Sequence, residues 1–188
     1  SQDAKHLFTY DKTVAPRPQH YKYLPLQGTK NCRAYRVVDG VGVFQGVYLL
    51  SGSDARTFVD LTLADYPKVG TCYGKDKNQI YANFGPIAGG DPKTFTILNG
   101  DYTKDANHAY RLGGLIQGAD AGTFVALGEY WAKDKNYVYH WDKVISGADP
   151  ATFGALDDDH GKDANYVFDP FGTAMSQIAD VASLISLN

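Results

Sequence analysis

The heptapeptide Lys-Asp-Lys-Asn-Tyr-Val-Tyr at residues 133–139 belongs to a series of four closely similar segments. The other copies occupy residues 75–81, 104–110 and 162–168, and neighbouring copies are separated by a constant step of 29 residues. A fixed period of this length is the sequence signature of a tandem-repeat protein, in which each repeat is one small structural unit. We therefore predict an array built from repeats of 29 residues.

A second block, ending in Thr-Phe, follows each of the first three copies. It reads Pro-Lys-Thr-Phe at residues 92–95, Ala-Gly-Thr-Phe at 121–124 and Pro-Ala-Thr-Phe at 150–153, each time after an aspartate. A more degenerate copy of the same order of motifs lies at residues 39–58, and an insertion near residues 62–69 separates it from the rest. The repeat domain is thus predicted to span residues 32–172 and to contain five repeats.

Each motif predicts a local structure. The Asp-x-Asn step predicts a tight hairpin turn, because Asn tolerates a left-handed backbone and an Asp side chain bonds backbone amides two residues on. The Asp-Pro-x-Thr-Phe block predicts one helical turn with Asp as its N-cap, and the Leu three residues after each Phe should share its buried face. Aromatic residues make up 13% of the chain, which favours strands. Each repeat is therefore predicted to be a β-hairpin, a short strand and one helical turn.

Stacking such repeats predicts a mainly β fold in a curved, solenoid-like array. A small-bladed propeller is the alternative, and the spacing does not separate the two. Residues 1–31, with three prolines, are predicted to form an N-terminal arm and cap. Residues 173–188 are predicted to form a C-terminal capping helix, since Met175, Ile178 and Ile185 follow helical spacing and a terminal repeat must cover its outer face.

Composition excludes some classes of protein. The net charge is −3 with scattered Lys and Arg, so we predict no nucleic-acid partner. No apolar run approaches the roughly 20 residues of a membrane span, so we predict no integral membrane segment. Cys32 and Cys72 fit a single disulfide in an oxidising compartment, or two unrelated buried thiols. A start at Ser1 without Met or leader predicts an exported protein, with a lipid anchor on the native N-terminus as an open alternative.

The sequence contains no recognisable catalytic or metal-binding motif, and we predict no enzyme activity, no cofactor and no metal. The Asp-x-Asn turn offers two oxygen side chains, and in two of the four copies a lysine stands between them, which suits a turn better than calcium. The five histidines occupy unmatched places, and no nucleophile-elbow, zinc-protease or phosphate-loop motif occurs. The acidic run at residues 157–160 reads as a solvated loop more readily than as acid/base machinery.

Function in a repeat array is expected where the copies differ, because the shared residues are committed to stacking. The second position after each closing aromatic residue is variable, and there a large aromatic, Trp141, replaces Asn83 or Leu112. Aromatic and Arg side chains anchor protein interfaces when exposed, although Trp141 could instead pack in the core. The predicted partner-binding residues are Tyr66, Arg111, His140, Trp141, Asp157, Asp158 and Asp159.

The segment 133–139, followed by Ile-Ser-Gly-Ala-Asp-Pro-Ala-Thr-Phe at residues 145–153, closely resembles the DKNYY repeat family of bacterial proteins. The resemblance covers residues 75–168 well and 36–61 loosely. It implies a bacterial, commonly cell-envelope, protein and supplies no catalytic residues to transfer. Repeat proteins of this type also occur beside secreted antibacterial toxins, where a periplasmic immunity protein caps its cognate effector.

Together these features predict a non-catalytic, protein-binding repeat protein of the bacterial periplasm or cell envelope. Its sharpest form is an immunity protein that occludes a toxin enzyme, such as a phospholipase, delivered by a type VI secretion system. Acidic loops such as 157–159 would then face a basic surface on the toxin. The alternative is an adhesive or structural envelope protein that binds polysaccharide or peptidoglycan through exposed aromatic residues.

Overall fold

The computed structural model describes residues 6–8, 14–16, 21–23, 35–38, 40–61, 71–83, 85–99 and 101–177. Within these ranges all regular secondary structure consists of short antiparallel strands, which confirms the mainly β class, and no helix occurs. The chain divides into two compact units, Ser1–Phe95 (unit 1) and Thr96–Asn188 (unit 2). The predicted domain boundary after residue 31 falls outside the described residues.

Unit 1 contains a two-stranded sheet and two four-stranded antiparallel meanders. The two-stranded sheet pairs β1 (His6–Phe8) with β2 (Val14–Pro16). The first meander consists of β3 (Tyr21–Tyr23), β4 (Tyr35–Val38), β5 (Gly42–Gln45) and β6 (Tyr48–Leu49). The second consists of β7 (Val59–Asp60), β8 (Tyr73–Lys75), β9 (Ile80–Ala82) and β10 (Gly85–Pro86).

Unit 2 contains three further meanders with the same strand order. The first consists of β11 (Thr96–Asn99), β12 (Tyr102–Lys104), β13 (Ala109–Arg111) and β14 (Gly114–Leu115). The second consists of β15 (Val125–Ala126), β16 (Trp131–Lys133), β17 (Val138–His140) and β18 (Lys143–Val144). The third consists of β19 (Gly154–Ala155), β20 (Gly161–Lys162), β21 (Tyr166–Phe168) and β22 (Ala174–Gln177).

In four repeats an Asp-x-Asn turn joins the two central strands, and its aspartate is buried. Asp134 Oδ1 accepts hydrogen bonds from the amides of Asn136 (2.7 Å) and Tyr137 (2.8 Å), as predicted from the motif. Its Oδ2 accepts two more, from the Tyr139 hydroxyl and from the Asp120 amide, both at 2.8 Å. The left-handed role predicted for Asn is wrong, because Asn136 is not among the positive-φ residues.

The Asp-x-x-Thr-Phe block forms a single hydrogen-bonded turn and not a helix. The Phe153 amide donates to the Asp149 carbonyl at 3.0 Å, and Asp149 Oδ1 accepts from the Ala151 amide at 2.9 Å, so the aspartate side chain bonds the turn but has no helix to cap. Lys133 Nζ then donates to the Phe153 carbonyl at 2.9 Å. The turn does not continue as a helix, because the next two residues enter β19 and pair with β20.

In unit 2, the phenylalanines of the Thr-Phe blocks, Phe124 and Phe153, pack between aromatic residues of consecutive meanders. In unit 2 the Phe124 ring centroid lies 5.9 Å from that of Tyr102 and 5.7 Å from that of Tyr139. Phe153 likewise lies 5.1 Å from Trp131, and Trp131 is fully buried as predicted. The prediction that a leucine shares the buried face of each Phe is wrong in the last block, because Leu156 is exposed in the turn after β19.

Two differences from the predicted repeat concern its strands. The described repeats begin with an additional short strand (β7, β11, β15 or β19), because the chain after each Thr-Phe block pairs with the hairpin that follows. The predicted C-terminal helix is wrong for residues Ala174–Gln177, which form β22 and pair with β21. This strand supplies the fourth strand of the meander, and Met175 is exposed and does not contribute to an apolar helix face. Residues 178–188 lie outside the described residues.

Cys72 is buried beside the aromatic core of unit 1, in a cluster with Tyr35, Phe58 and Tyr81. It is disulfide-bonded. Cys32 lies outside the described residues, so the pairing of Cys32 with Cys72 stays a prediction. The bond itself favours the first of the two alternatives that the sequence left open.

Candidate protein-binding face

Trp141 occupies a strained turn between β17 and β18. Its φ is +58°, and the residues at the matching turn positions of earlier repeats, Asn83 and Leu112, both have φ of +51°. Non-glycine residues in this left-handed region cost roughly 1–2 kcal/mol, and such strain persists only where the surroundings impose it. Here the Trp141 amide donates to the Tyr130 carbonyl at 2.7 Å. The Tyr102 hydroxyl lies within hydrogen-bond distance of the carbonyls of Trp141 (2.7 Å) and Tyr130 (2.6 Å), which share its single proton.

The indole of Trp141 is held by three neighbours and is still half exposed. The His140 ring stacks at 5.5 Å with an interplanar angle of 20°, and Tyr130 meets the indole edge-on at 6.2 Å. The Arg111 guanidinium lies 5.3 Å from the indole centroid, a cation–π distance. The residue nevertheless keeps 49% of its surface exposed, so it is not the core residue that the sequence left as an alternative.

Arg111 lies at the end of β13, and an ion pair with Asp101 holds its side chain in place. Its side chain is 15% exposed, and the guanidinium lies 3.7 Å from the carboxylate of Asp101, the residue just before β12. Its Nε is buried, and the described residues supply no hydrogen-bond acceptor for it. Arg111 is therefore a fixed part of the Trp141 environment, with little of its charge open to solvent.

His140 connects Trp141 to the acidic run. The imidazole is buried against Trp131, with the ring centroids 4.4 Å apart, and Nε2 lies 3.1 Å from the Asp158 carbonyl oxygen. Because a carbonyl oxygen only accepts, Nε2 is the protonated nitrogen of this contact. The sequence predicted His140 as a residue that a partner touches. Its burial makes it a support that positions Trp141 and the acidic hairpin.

The acidic run is a tight hairpin between β19 and β20, organised by Asp157. Its Oδ1 accepts from the amides of Asp159 (2.8 Å) and His160 (2.7 Å). These hydrogen bonds, with the one to the His160 ring, lower the pKa of the Asp157 carboxyl. Asp157 thus has a local structural role, while Asp158 and Asp159 are exposed beside it.

The electrostatic character of the region is acidic. Glu129 is the largest influence raising the pKa of the Tyr130 hydroxyl, followed by desolvation and then by Asp158 and Asp101. At the turn itself, Lys143 donates to Asp142 at 3.1 Å and lowers the pKa of that carboxyl. Near Trp141, the described carboxylates of Asp101, Glu129, Asp142 and Asp158 outnumber the cations Arg111 and Lys143.

Four of the seven predicted residues therefore meet on one surface of unit 2. We define the Trp141 face as Arg111, Tyr130, His140, Trp141 and Asp158. Asp157 and Asp159 flank it on the acidic hairpin, and Tyr66 with its insertion lies outside the described residues. In the described part of the chain, no group of three or more His, Cys, Asp or Glu side chains is placed to hold a metal ion.

Comparison with known proteins adds one finding. The family model of the DKNYY family matches residues 73–187. The chain belongs to the DKNYY family. Comparison with curated proteins and with solved structures yields no match. Among the described residues there is no helix long and apolar enough to cross a membrane.

The DKNYY match begins at the first residue of β8 and includes the four heptapeptides from which the repeat was first recognised. The residues shared among these copies account for turns and core, whereas the Trp141 face uses positions at which the DKNYY repeats of this chain differ. Sequence reasoning missed Tyr130, although it replaces Asp101 of the preceding repeat. It also missed Phe171, which is 90% exposed in the turn before β22.

Proposed function

We propose that this DKNYY protein is a non-catalytic binding protein of the bacterial periplasm or cell envelope that docks a protein partner on its Trp141 face. The proposal rests on the observation that residues separated in the sequence meet on one surface. Arg111, His140, Trp141 and Asp158 come from different repeats or from the loops between strands, and they meet on one surface. A scaffold made of shared residues thus presents a surface made of variable ones, as expected for a binding repeat protein.

In its specific form, the proposal is that the partner is a secreted toxin enzyme and that this protein is its immunity protein. A phospholipase delivered by a type VI secretion system is the best specific candidate. Such an enzyme has a cleft that a protruding aromatic residue could fill, and the acidic surroundings of Trp141 suit a basic surface around that cleft. Occlusion requires no catalytic group on the immunity protein.

The proposed compartment and architecture rest on separate observations. A disulfide at Cys72 favours export to an oxidising compartment, because disulfides are rare in the bacterial cytoplasm. Consecutive meanders of unit 2 share their aromatic cores, which favours a solenoid-like stacking of repeats over separate domains. A small-bladed propeller remains the alternative architecture, and a lipid anchor on the native N-terminus remains part of the proposal.

The direct test is co-expression of the exported protein with each protein encoded by the adjacent genes. We expect one neighbour to co-purify in a fixed stoichiometry, and its lipase activity to fall in proportion to added DKNYY protein. Association should slow as salt is raised, because electrostatic steering is screened. If no encoded neighbour binds, the immunity role is wrong. If a neighbour binds and stays fully active, occlusion is wrong.

The second candidate function is binding of an envelope polysaccharide or peptidoglycan. The half-exposed indole of Trp141 beside the Tyr130 ring favours it, since aromatic rings stack on sugars. A pull-down with purified peptidoglycan separates the two candidates. Retention that a tryptophan-free variant loses, without any protein partner, would support the polysaccharide function.

A further inference from the structure

Trp141 is arranged for binding before any partner arrives. Its backbone is fixed by the Tyr130 and Tyr102 hydrogen bonds, and its ring is fixed by His140 and Arg111. Immobilising a flexible side chain on binding costs about 0.5–1.5 kcal/mol, and a ring that is already held avoids most of that cost. A rigid, half-exposed tryptophan at the centre of a polar surround has the features of an interface hot spot.

The charged residues around Trp141 indicate which type of partner this face would bind. Arg111 is the cation nearest the indole, and it is engaged by both Trp141 and Asp101. Lys143 is paired with Asp142. Asp158 of the face and Asp159 beside it are exposed on the acidic hairpin, and Glu129 precedes Tyr130. The surface therefore combines an apolar ring with an excess of negative charge.

We infer that the Trp141 face binds a protein segment in which lysine or arginine alternates with apolar side chains. This inference rests on the proposed protein-binding function and names the chemistry of its partner. The apolar side chains cover the exposed half of the indole, and the cationic groups reach the carboxylates of Glu129, Asp142 and Asp158. A second copy of this chain does not fit, because two acidic faces would repel each other.

The experiment uses a dye-labelled, blocked pentapeptide in which lysine alternates with leucine, compared with its counterpart in which glutamate replaces lysine. Fluorescence anisotropy with the full chain gives the dissociation constants. At about 20 mM salt we expect the lysine peptide to bind at least about tenfold more tightly than the glutamate peptide. The preference should shrink several-fold at about 200 mM salt, where the Debye length is below 10 Å.

Two variants and a control locate the binding. Trp141→Asn places at this turn the residue that occupies the same conformation at position 83, so the fold should be kept while affinity drops about tenfold. Asp142→Asn should lower the preference for lysine over glutamate. Tyr137→Ser is the matched control, because Tyr137 is equally exposed (48%) but lies at the Asp-x-Asn turn. It should leave the affinity unchanged.

Equal affinity for the two peptides, or loss of affinity in Tyr137→Ser as large as in Trp141→Asn, overturns the inference. Binding of chitotetraose that Trp141→Asn abolishes, together with no peptide preference, also overturns it and favours a polysaccharide ligand. These outcomes can be distinguished from a failure of the proposed immunity function. Failure to bind any encoded neighbour would reject the immunity role, whereas the peptide comparison judges the chemistry of the face alone.

Discussion

Asp134 shows at the scale of one residue why the repeat motif has its form. The residue is 3% exposed, and its two carboxylate oxygens accept four hydrogen bonds, from three backbone amides and one tyrosine hydroxyl. A buried anion is tolerated only when it is satisfied in this way. The matching aspartates, Asp76, Asp105 and Asp163, are equally buried.

Replacing Asp134 by Ala should destabilise the protein by about 3 kcal/mol or more, because several buried donors lose their acceptor at once. Asp159→Ala is the control, since Asp159 is exposed in the acidic hairpin and should change the free energy of unfolding by less than about 0.5 kcal/mol. Urea unfolding followed by circular dichroism measures both. Similar losses in the two variants would contradict this role for Asp134.

Lowering the pH should reduce the stability of the folded protein, because Asp120 then takes up a proton. The ion pair with Lys135, at 2.8 Å, and hydrogen bonds from Thr123 lower the pKa of Asp120 from 3.8 to about 2. The folded state thus holds this carboxylate ionised where the unfolded chain takes up a proton. Its contribution is present above pH 3.8 and is lost as the pH falls towards 2.

The check is the melting temperature between pH 6 and pH 2 for the parent chain and for Asp120→Asn. The two curves should differ most at pH 6 and converge at the acid end, because the variant lacks the titrating group. Parallel curves across the whole range would show that Asp120 makes no acid-dependent contribution.

At the scale of elements, two Thr-Phe blocks pack so closely against the next meander that the strand under the phenylalanine ring carries a glycine. Gly161 in β20 lies under the Phe153 ring, and a Cβ built there would come within 2.0 Å of that ring. Gly74 in β8 has the same relation to Phe58, at 2.4 Å. These glycines are required by contact with a ring, since neither has a positive φ.

Gly161→Ala should therefore destabilise unit 2 by about 1–3 kcal/mol through overpacking. Gly154→Ala is the control within the same meander, because a Cβ at Gly154 meets nothing within 4 Å. Thermal unfolding of the two variants gives the comparison. An equal effect at both positions would mean that the Phe153 ring moves aside at no cost.

The sequence was sufficient to predict those features whose hydrogen bonds join residues close together in the chain. The hydrogen bonds of Asp134 and Asp149 to nearby amides were predicted because they join residues two apart, although the helix that Asp149 was expected to cap does not form. The strand β15 was missed, because two residues cannot display an alternating pattern and it forms only by pairing with β16. The helix predicted from residue 173 was wrong at β22 because pairing with β21 overrode a weak helical spacing.

The same distinction holds for the candidate site. Variation among repeats was enough to single out Arg111, His140 and Trp141. Their convergence depends on contacts between meanders, such as the 5.3 Å approach of Arg111 to the indole, which no local pattern encodes. The burial of His140, and hence its supporting role, could not be predicted either, because it depends on packing against Trp131.

At the scale of the whole molecule, the disulfide is the covalent constraint. Cys72 is bonded, and the sequence contains one other cysteine, Cys32. Peptide mapping without reductant should recover a fragment joining the two. Reduction should lower the free energy of unfolding by about 2–4 kcal/mol, since the bond restricts the unfolded chain. Recovery of both cysteines as free thiols, or as an intermolecular link, would contradict the predicted pairing.

The left-handed turn shared by Asn83, Leu112 and Trp141 has a consequence for how this protein could change its partner. The backbone of that turn is set by the scaffold, because in all three repeats its amide donates to the carbonyl of the residue just before the first strand of the hairpin (β8, β12 or β16). Each of these positions can therefore accept a different side chain while the backbone of the turn is kept. Exchanging the residue at such a turn would therefore change the side chain that the protein presents there, without altering its architecture.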